Sequence, residues 1–286
     1  MRLEVPLEED LIDELFSFWE QIFGPIADIT KGLFLGEELA HNHNDLFLER
    51  IDGEIAGTCM VSQSKRLPGL GSLGEVATDP KHRRSGISTR LCKSALDEFW
   101  GNGGKAIFLG THNPEAARVY YRLGWRRMAG SNVMANILNS DSAEAFLVDY
   151  FQTRTPTKVQ SATPTERIPL VPLLLTPHAW QVLDANAKNR IYSTRAHLQT
   201  SCNGLFPRLE AVREKRRGDW FVAHTEDGRT VGLATARICG ESDCRVDAVT
   251  HHHHRSALQD LLDVAMTWAR THGAMGCHAA ISCEDT

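Results

Sequence analysis

The sequence predicts a mixed α/β (α+β) sheet fold, present twice along 286 residues. Three observations carry that expectation. Strand-like segments come first and then alternate with helix-like ones, as a sheet covered by helices requires. A basic turn, Arg83-Arg84-Ser85-Gly86-Ile87-Ser88, joins an apolar strand pattern to an amphipathic helix pattern. A hairpin spelled by Asp45-Leu46-Phe47-Leu48, Asp52-Gly53 and Gly57 returns as Asp219-Trp220-Phe221-Val222, Asp227-Gly228 and Gly232. A repeat of that length points to duplication of a whole domain.

Leu3 and Val5 fit a short first strand. The segment 8–23 places Leu11, Ile12, Leu15, Phe16, Trp19 and Phe23 at helical spacing, and Gly24-Pro25 ends it. A second helix is expected over 31–40, stopping at the polar run His41-Asn42-His43-Asn44. Segments 46–51 and 54–63, joined by Asp52-Gly53, form a β-hairpin. Residues 73–78 make a third strand, broken by Asp79-Pro80. The basic turn then opens a helix over 87–100, and 105–110 is the next strand. Asn113 can cap a following helix, Pro114 suits its first turn, and Gly124 suits its left-handed end. Segments 125–128 and 133–138 complete the sheet, so the first domain is placed at 1–140.

Residues 143–151 fit a short helix. The stretch 153–172 holds four prolines among Thr and Ser, which reads as a linker; the connection is placed at 141–172 and the second domain at 173–286. Within that domain Leu205-Phe206 parallels Leu33-Phe34. Segment 245–249 is the expected strand, 257–271 the helix and 276–282 the strand after it. Where the first copy has Arg83 to Ser88, the second has His252 to Ala257, with no glycine. A side chain in place of Gly86 would crowd a phosphate. The second copy is therefore expected to be degenerate, serving to support, dimerise or shape a pocket.

A turn between strand and helix leaves main-chain N–H groups unpaired at the positive end of the helix dipole, an anion site. Lys81, Arg83 and Arg84 add charge that pairs with phosphate. Downstream, Asn113-Pro114-Glu115-Ala116-Ala117-Arg118-Val119-Tyr120-Tyr121-Arg122-Leu123-Gly124-Trp125 reads N-x-x-A-x-x-x-Y-x-x-x-G-aromatic, with Ala116 and Tyr120 on one face. On these two motifs the chain resembles the GNAT superfamily of acyl-CoA-dependent N-acetyltransferases over roughly 1–140. Arg83 to Ser88 matches that family's pyrophosphate loop, with Ser88 in place of the last small residue.

The resemblance implies a GNAT-like acyl-CoA N-acyltransferase fold and transfer of an acetyl group from acetyl-CoA to an amine by direct attack. It implies that Val76, Ala77 and Thr78 meet the pantetheine arm and that Arg83, Arg84, Ser85, Gly86, Ile87 and Ser88 meet the pyrophosphate. Asn113, Ala116 and Tyr120 complete the cofactor-binding set. Tyr120 matches the tyrosine that many members hold near the sulfur, and packing on the sheet is its other reading; Tyr121 belongs to core or surface. The attacking amine must lose a proton. Glu75, on the strand before the loop, is one candidate base; an outward-facing sheet carboxylate is the alternative. His112, beside Asn113, is the other, with a plain loop residue as its alternative. A water chain to a distant carboxylate would need neither. The acceptor is expected to be a small amine, with Asp28 and Thr30 near its pocket. Glu8-Glu9-Asp10 and Asp13-Glu14 would favour a cation, or simply form an exposed helix face. The rival readings are a non-catalytic acyl-CoA-binding regulator and an acyltransferase acting on a protein N-terminus or lysine.

A net charge of −5 argues against a general nucleic-acid binder. No apolar run is long enough to span a bilayer, and the acidic start is unlike a signal peptide. Seven cysteines with no C-x-x-C pair fit reduced thiols in a cytoplasm, so Cys59, Cys92 and Cys202 are expected to be inert. The run His251-His252-His253-His254 is expected to be a polar turn, because neighbouring side chains diverge, with a weak adventitious nickel or zinc site as its alternative; no resident metal is expected. Arg213 to Arg217 fits a solvated helix face. A homodimer is compatible with all of this.

Overall fold

The computed structural model describes residues 1–25, 29–128, 132–140, 142–152, 157–175, 182–184, 186–187, 189–192, 195–197 and 204–279. They form two compact units. One holds Met1–Arg127 and Asn132–Ala143; the other holds most of the chain from Glu144 onward.

The first unit runs β1 (Arg2–Glu4), α1 (Glu9–Phe23), α2 (Lys31–Leu35), β2 (Asn42–Ile51), β3 (Glu54–Ser64), β4 (Leu70–Thr78), α3 (Ile87–Gly101), β5 (Ala106–Gly110), α4 (Pro114–Arg122), β6 (Arg126–Arg127) and β7 (Val133–Ile137). Its sheet has the order β1-β2-β3-β4-β5-β7-β6. All pairs are antiparallel except β4–β5, whose parallel sense demands a crossover, supplied by α3. Both sheet faces are covered. Leu46, Leu48 and Met60 pack with Ile12, Leu15 and Trp19 of α1 and Leu33 and Phe34 of α2. Phe47, Cys59, Val61 and Leu73 pack with Leu91, Cys92, Ala95 and Phe99 of α3 and Tyr120 of α4. Alternation sorts the two sets, and β3, sandwiched between both layers, is buried along almost its whole length.

Two elements differ from expectation. Helix α2 stops at Leu35 because Gly36 turns left-handed, at φ 92°. Asn42 and Asn44 belong to β2 rather than to a helix end, because they pair with Ser64 and Ser62 of β3.

The second unit runs α5 (Ala143–Gln152), β8 (Thr157–Ser161), α6 (Leu170–Leu175), β9 (Val182–Asp184), β10 (Asn189–Tyr192), β11 (Arg195–His197), α7 (Leu205–Glu210), β12 (Gly218–Thr225), β13 (Thr230–Cys239), β14 (Asp243–Thr250), α8 (Ala257–Thr271) and β15 (Gly276–His278). Strands β9 to β11 form a small antiparallel sheet. The larger sheet has the order β15-β14-β13-β12-β8. The stretch expected to be a linker thus contains an edge strand, β8, paired along β12.

This sheet repeats the first in order and sense. Strands β12, β13 and β14 are antiparallel neighbours, and β14–β15 is parallel around α8, as β4–β5 is around α3. Even the registers agree. Gly57 lies opposite Glu49 and Thr78, and Gly232 opposite Ala223 and Thr250. Each hairpin bulges one step later, at Glu49/Arg50 and at Ala223/His224. Bulges disrupt a ladder locally, so two unrelated hairpins have no reason to share one. The duplication expected from the sequence is present in the fold.

Candidate functional site

Strands β4 and β5 pair only at Leu70–Ser72 against Ala106–Phe108. Beyond Ser72 the two part, and the rest of β4 is paired only by β3. Val76, Ala77 and Thr78 lie on that parted segment, so among the described residues one main-chain edge there has no strand beside it. A bulge sits at the same place: the β3–β4 register shifts between Thr58 and Met60. Glu75 occupies the bulge with φ 48°, a left-handed conformation for a non-glycine residue. Such a residue costs about 1–3 kcal/mol and persists only where its surroundings enforce it. Here they do. The Thr58 hydroxyl donates to the Glu75 carbonyl at 2.6 Å, and the Trp19 indole N–H donates to the Thr58 oxygen at 2.9 Å, all buried. The sequence marked Trp19 only as part of the apolar face of a helix, and Thr58 not at all. The one available sign was a threonine within the apolar core of β3.

Past Thr78 the chain makes a short 3-10 turn, Pro80–His82, started by Asp79, whose carboxylate accepts from the Lys81 N–H. Arg84 and Gly86 are both left-handed, at φ 65° and 83°. Two such residues in four fold the main chain into a tight loop ending at the first turn of α3. No side chain caps α3, so its first N–H groups remain available to a ligand. Arg83, Arg84, Ser85 and Gly86 are exposed, while Ile87 is buried and anchors the helix. Arg90 braces the loop from inside α3, donating to the Ser85 carbonyl at 2.9 Å and pairing with Glu49 of β2 at 2.6 Å. Ser88 lies beside Thr78, hydroxyl to hydroxyl at 3.4 Å.

Asn113 caps α4, its Oδ1 accepting from Glu115 N–H at 2.9 Å and Ala116 N–H at 3.4 Å. Its own N–H donates to Thr111 Oγ1. Asn113 is exposed. Tyr120, one turn beyond Ala116, is buried against Trp125, ring centroids 5.7 Å apart. Burial first, then Cys92, Cys59 and Glu75 nearby, holds its phenol well above the ordinary tyrosine range. Tyr121 is 43% exposed and belongs to the surface. Glu75 is buried, not outward-facing, and its charge reaches both Tyr120 and Cys59. Glu75 and Tyr120 are both buried, and the Glu75 charge is among the causes that raise the Tyr120 phenol. His112 is exposed, with Nδ1 2.8 Å from the Asn132 side-chain nitrogen. Cys59 and Cys92 are free and fully buried, and burial raises the Cys59 thiol, which leaves it protonated and inert. Asp28 and Cys202 lie outside the described residues; Thr30 is exposed at the start of α2.

The acidic face of α1 is partly neutralised. Glu14 makes a two-pronged pair with Arg50, both contacts 2.6 Å, which lowers its carboxyl below the usual range, and Asp13 pairs with Lys31. Arg213 is not part of a solvated face, since it pairs with Glu210 and Asp219 and lies over the Trp220 ring. Among the described residues no helix is long and apolar enough to cross a membrane.

No curated protein matches the sequence. Among solved structures, the chain is similar to the ribosomal-protein-S18-alanine N-acetyltransferase of Escherichia coli, at 16% identity and TM-score 0.38 over 50% of this chain and 98% of that one. It is similar to a GCN5-related N-acetyltransferase from Kribbella flavida, at 12% identity and TM-score 0.41 over 100% and 65%. A tandem GNAT protein from the clavulanic acid biosynthesis pathway matches over 100% and 91%, at 15% identity and TM-score 0.39. Scores this low carry no argument. The family model described as acetyltransferase (GNAT) family matches residues 8–125, a span that contains the parted strands, the left-handed loop and α4. Residues 8–125 of this chain are thus similar to the acetyltransferase (GNAT) family.

Proposed function

We propose that the N-terminal domain transfers an acetyl group from acetyl-CoA to a primary amine of a small molecule. The observation that carries this reading is the opening between β4 and β5, which ends at the left-handed loop and the uncapped start of α3. Acetyl-CoA supplies a thioester, an acyl group activated toward amines. The N–H groups from Gly86 to Ser88, flanked by Arg83 and Arg84, suit its diphosphate. The free edge of β4 over Val76, Ala77 and Thr78 suits its amide-bearing arm, and the Asn113 side-chain NH2 is free to donate to that arm while Oδ1 keeps its capping bonds. Glu75 is the favoured proton acceptor for the amine, directly or through water, because it is buried at the opening. His112 is the less favoured one, being tied to Asn132. Tyr120 keeps its proton, so its role is hydrogen-bond donation toward the departing sulfur rather than base work.

Acetylation of a panel of small amines, followed by thiol release and product mass, tests this. Product with at least one amine supports it. The second reading, a protein that binds acyl-CoA without transfer, is favoured by the burial of Tyr120 within the core cluster. Calorimetric binding of CoA with no product from any amine would leave that reading standing. Absence of CoA binding would remove both.

A further inference from the structure

We propose that His251, His252 and His253 form a binding site for a divalent transition-metal ion, of the zinc, nickel or copper class, on the second unit. The sequence suggested a turn whose imidazoles diverge. The fold does the reverse. His252–His254 form a 3-10 turn, and the His251 side chain folds back over it, Nδ1 accepting from the His253 N–H. The rings gather: centroids are 4.3 Å apart for His251–His252, 4.1 Å for His252–His253 and 5.1 Å for His251–His253. One ring nitrogen from each lies within 4.8 Å of the other two. Imidazoles on a tetrahedral zinc, at about 2.0–2.1 Å from the ion, have nitrogens about 3.4 Å apart. His252 is exposed and can swing the remaining distance.

The surroundings fix the ligands from behind. His251 stacks on Phe151, 3.9 Å between centroids and 6° between planes. His253 Nδ1 lies 3.3 Å from the Phe151 carbonyl, the outer-shell contact that turns the other ring nitrogen outward as a ligand. His254 Nε2 reaches the same carbonyl at 3.2 Å and is buried, so it is a support and not a ligand. The His251 Nδ1 bond, 3.3 Å long, is weak and costs little to give up. Imidazole ligands select zinc, copper and nickel over magnesium and calcium. The location is also informative. These residues follow β14 where the diphosphate loop follows β4, so the second copy would hold a cation where the first suits an anion.

The test is calorimetric titration of the full chain, carrying no added histidine tag, with Zn2+ and with Ni2+. One ion per chain with Kd at or below about 1 µM is expected, weakened at least about tenfold in His252→Ala and in His253→Ala. Zn2+ should also raise the thermal midpoint of the wild type but not of either variant, because an ion that prefers the folded loop stabilises it. Equal binding by wild type and the double variant would overturn the site. So would binding with no rise in midpoint, since the ion would then favour the unfolded histidine run equally. Should a variant misfold, X-ray absorption of the zinc-loaded wild type decides: three imidazoles support the proposal, one or two sink it.

Discussion

At Tyr120 two roles make different demands on one phenol. As a core residue it contributes ring area against Trp125 and the α3 face, and its hydroxyl contributes little. As a donor toward a departing sulfur it needs the hydroxyl and not the ring edge. Tyr120→Phe separates them. Loss of a positioned donor is expected to lower turnover about tenfold to a hundredfold, with CoA affinity and the thermal midpoint nearly unchanged. Unchanged turnover would assign Tyr120 to packing alone. Tyr120→Ala cannot make this distinction, because emptying the ring from the core costs about 3–5 kcal/mol by itself.

At the scale of elements, the bulge and the loop are each held by a few contacts that a single change can remove. Thr58→Val keeps the shape of the side chain but strips the hydroxyl from the Glu75 carbonyl and leaves the Trp19 N–H buried without its acceptor. The expected loss is about 1–3 kcal/mol of stability, read in urea, together with slower turnover as Glu75 leaves its place. Full activity in Thr58→Val would detach the bulge from catalysis. In the loop, Gly86→Val places a β-branched residue at φ 83°, where the added Cβ meets only the Arg90 side-chain end at 3.2 Å. The strain is in the backbone, about 1–3 kcal/mol, and it is relieved by moving the N–H groups away from the anion site. CoA affinity should fall at least about tenfold, a loss comparable with that strain, while the fold persists. Retained affinity, measured by calorimetry, would remove the loop from CoA binding.

The same contrast explains what the sequence could tell. The loop was legible because glycine, arginine and an adjacent strand and helix are all local. The ends of α4 were legible for the same reason, through Asn113, Pro114 and Gly124. The bulge was not, since Thr58 acts on Glu75 from a neighbouring strand, a partnership that only the register reveals. Strand β8 was hidden because Thr157-Lys158-Val159-Gln160-Ser161 is an edge strand with a single apolar residue, flanked by prolines. The turn at His252–His254 was legible, but the gathering of its rings was not, because alternation rules for strands and helices do not describe a tight turn with a side chain folded over it.

At the scale of the whole molecule, two copies of one sheet raise the question of how many ligands the chain takes. The connection from strand to crossover helix is residues 79–86 in the first copy and 251–256 in the second, two residues shorter. The backbone before the helix differs as well: Arg255 and Ser256 are right-handed where Arg84 and Gly86 are left-handed. A right-handed start continues the helix instead of folding N–H groups around a phosphate, and Leu258 N–H already bonds the Arg255 carbonyl at 3.0 Å. The crossover helices otherwise correspond: Leu91 and Leu261 both approach the glycine opposite them, Gly57 and Gly232. The second copy has therefore kept its packing and given up its loop. Calorimetry of the intact chain should show one CoA bound per chain, and Gly86→Val should lower that single affinity without exposing another. Two equivalents, or one that survives Gly86→Val at full strength, would place a working diphosphate site in the second copy, against the geometry of its shortened turn.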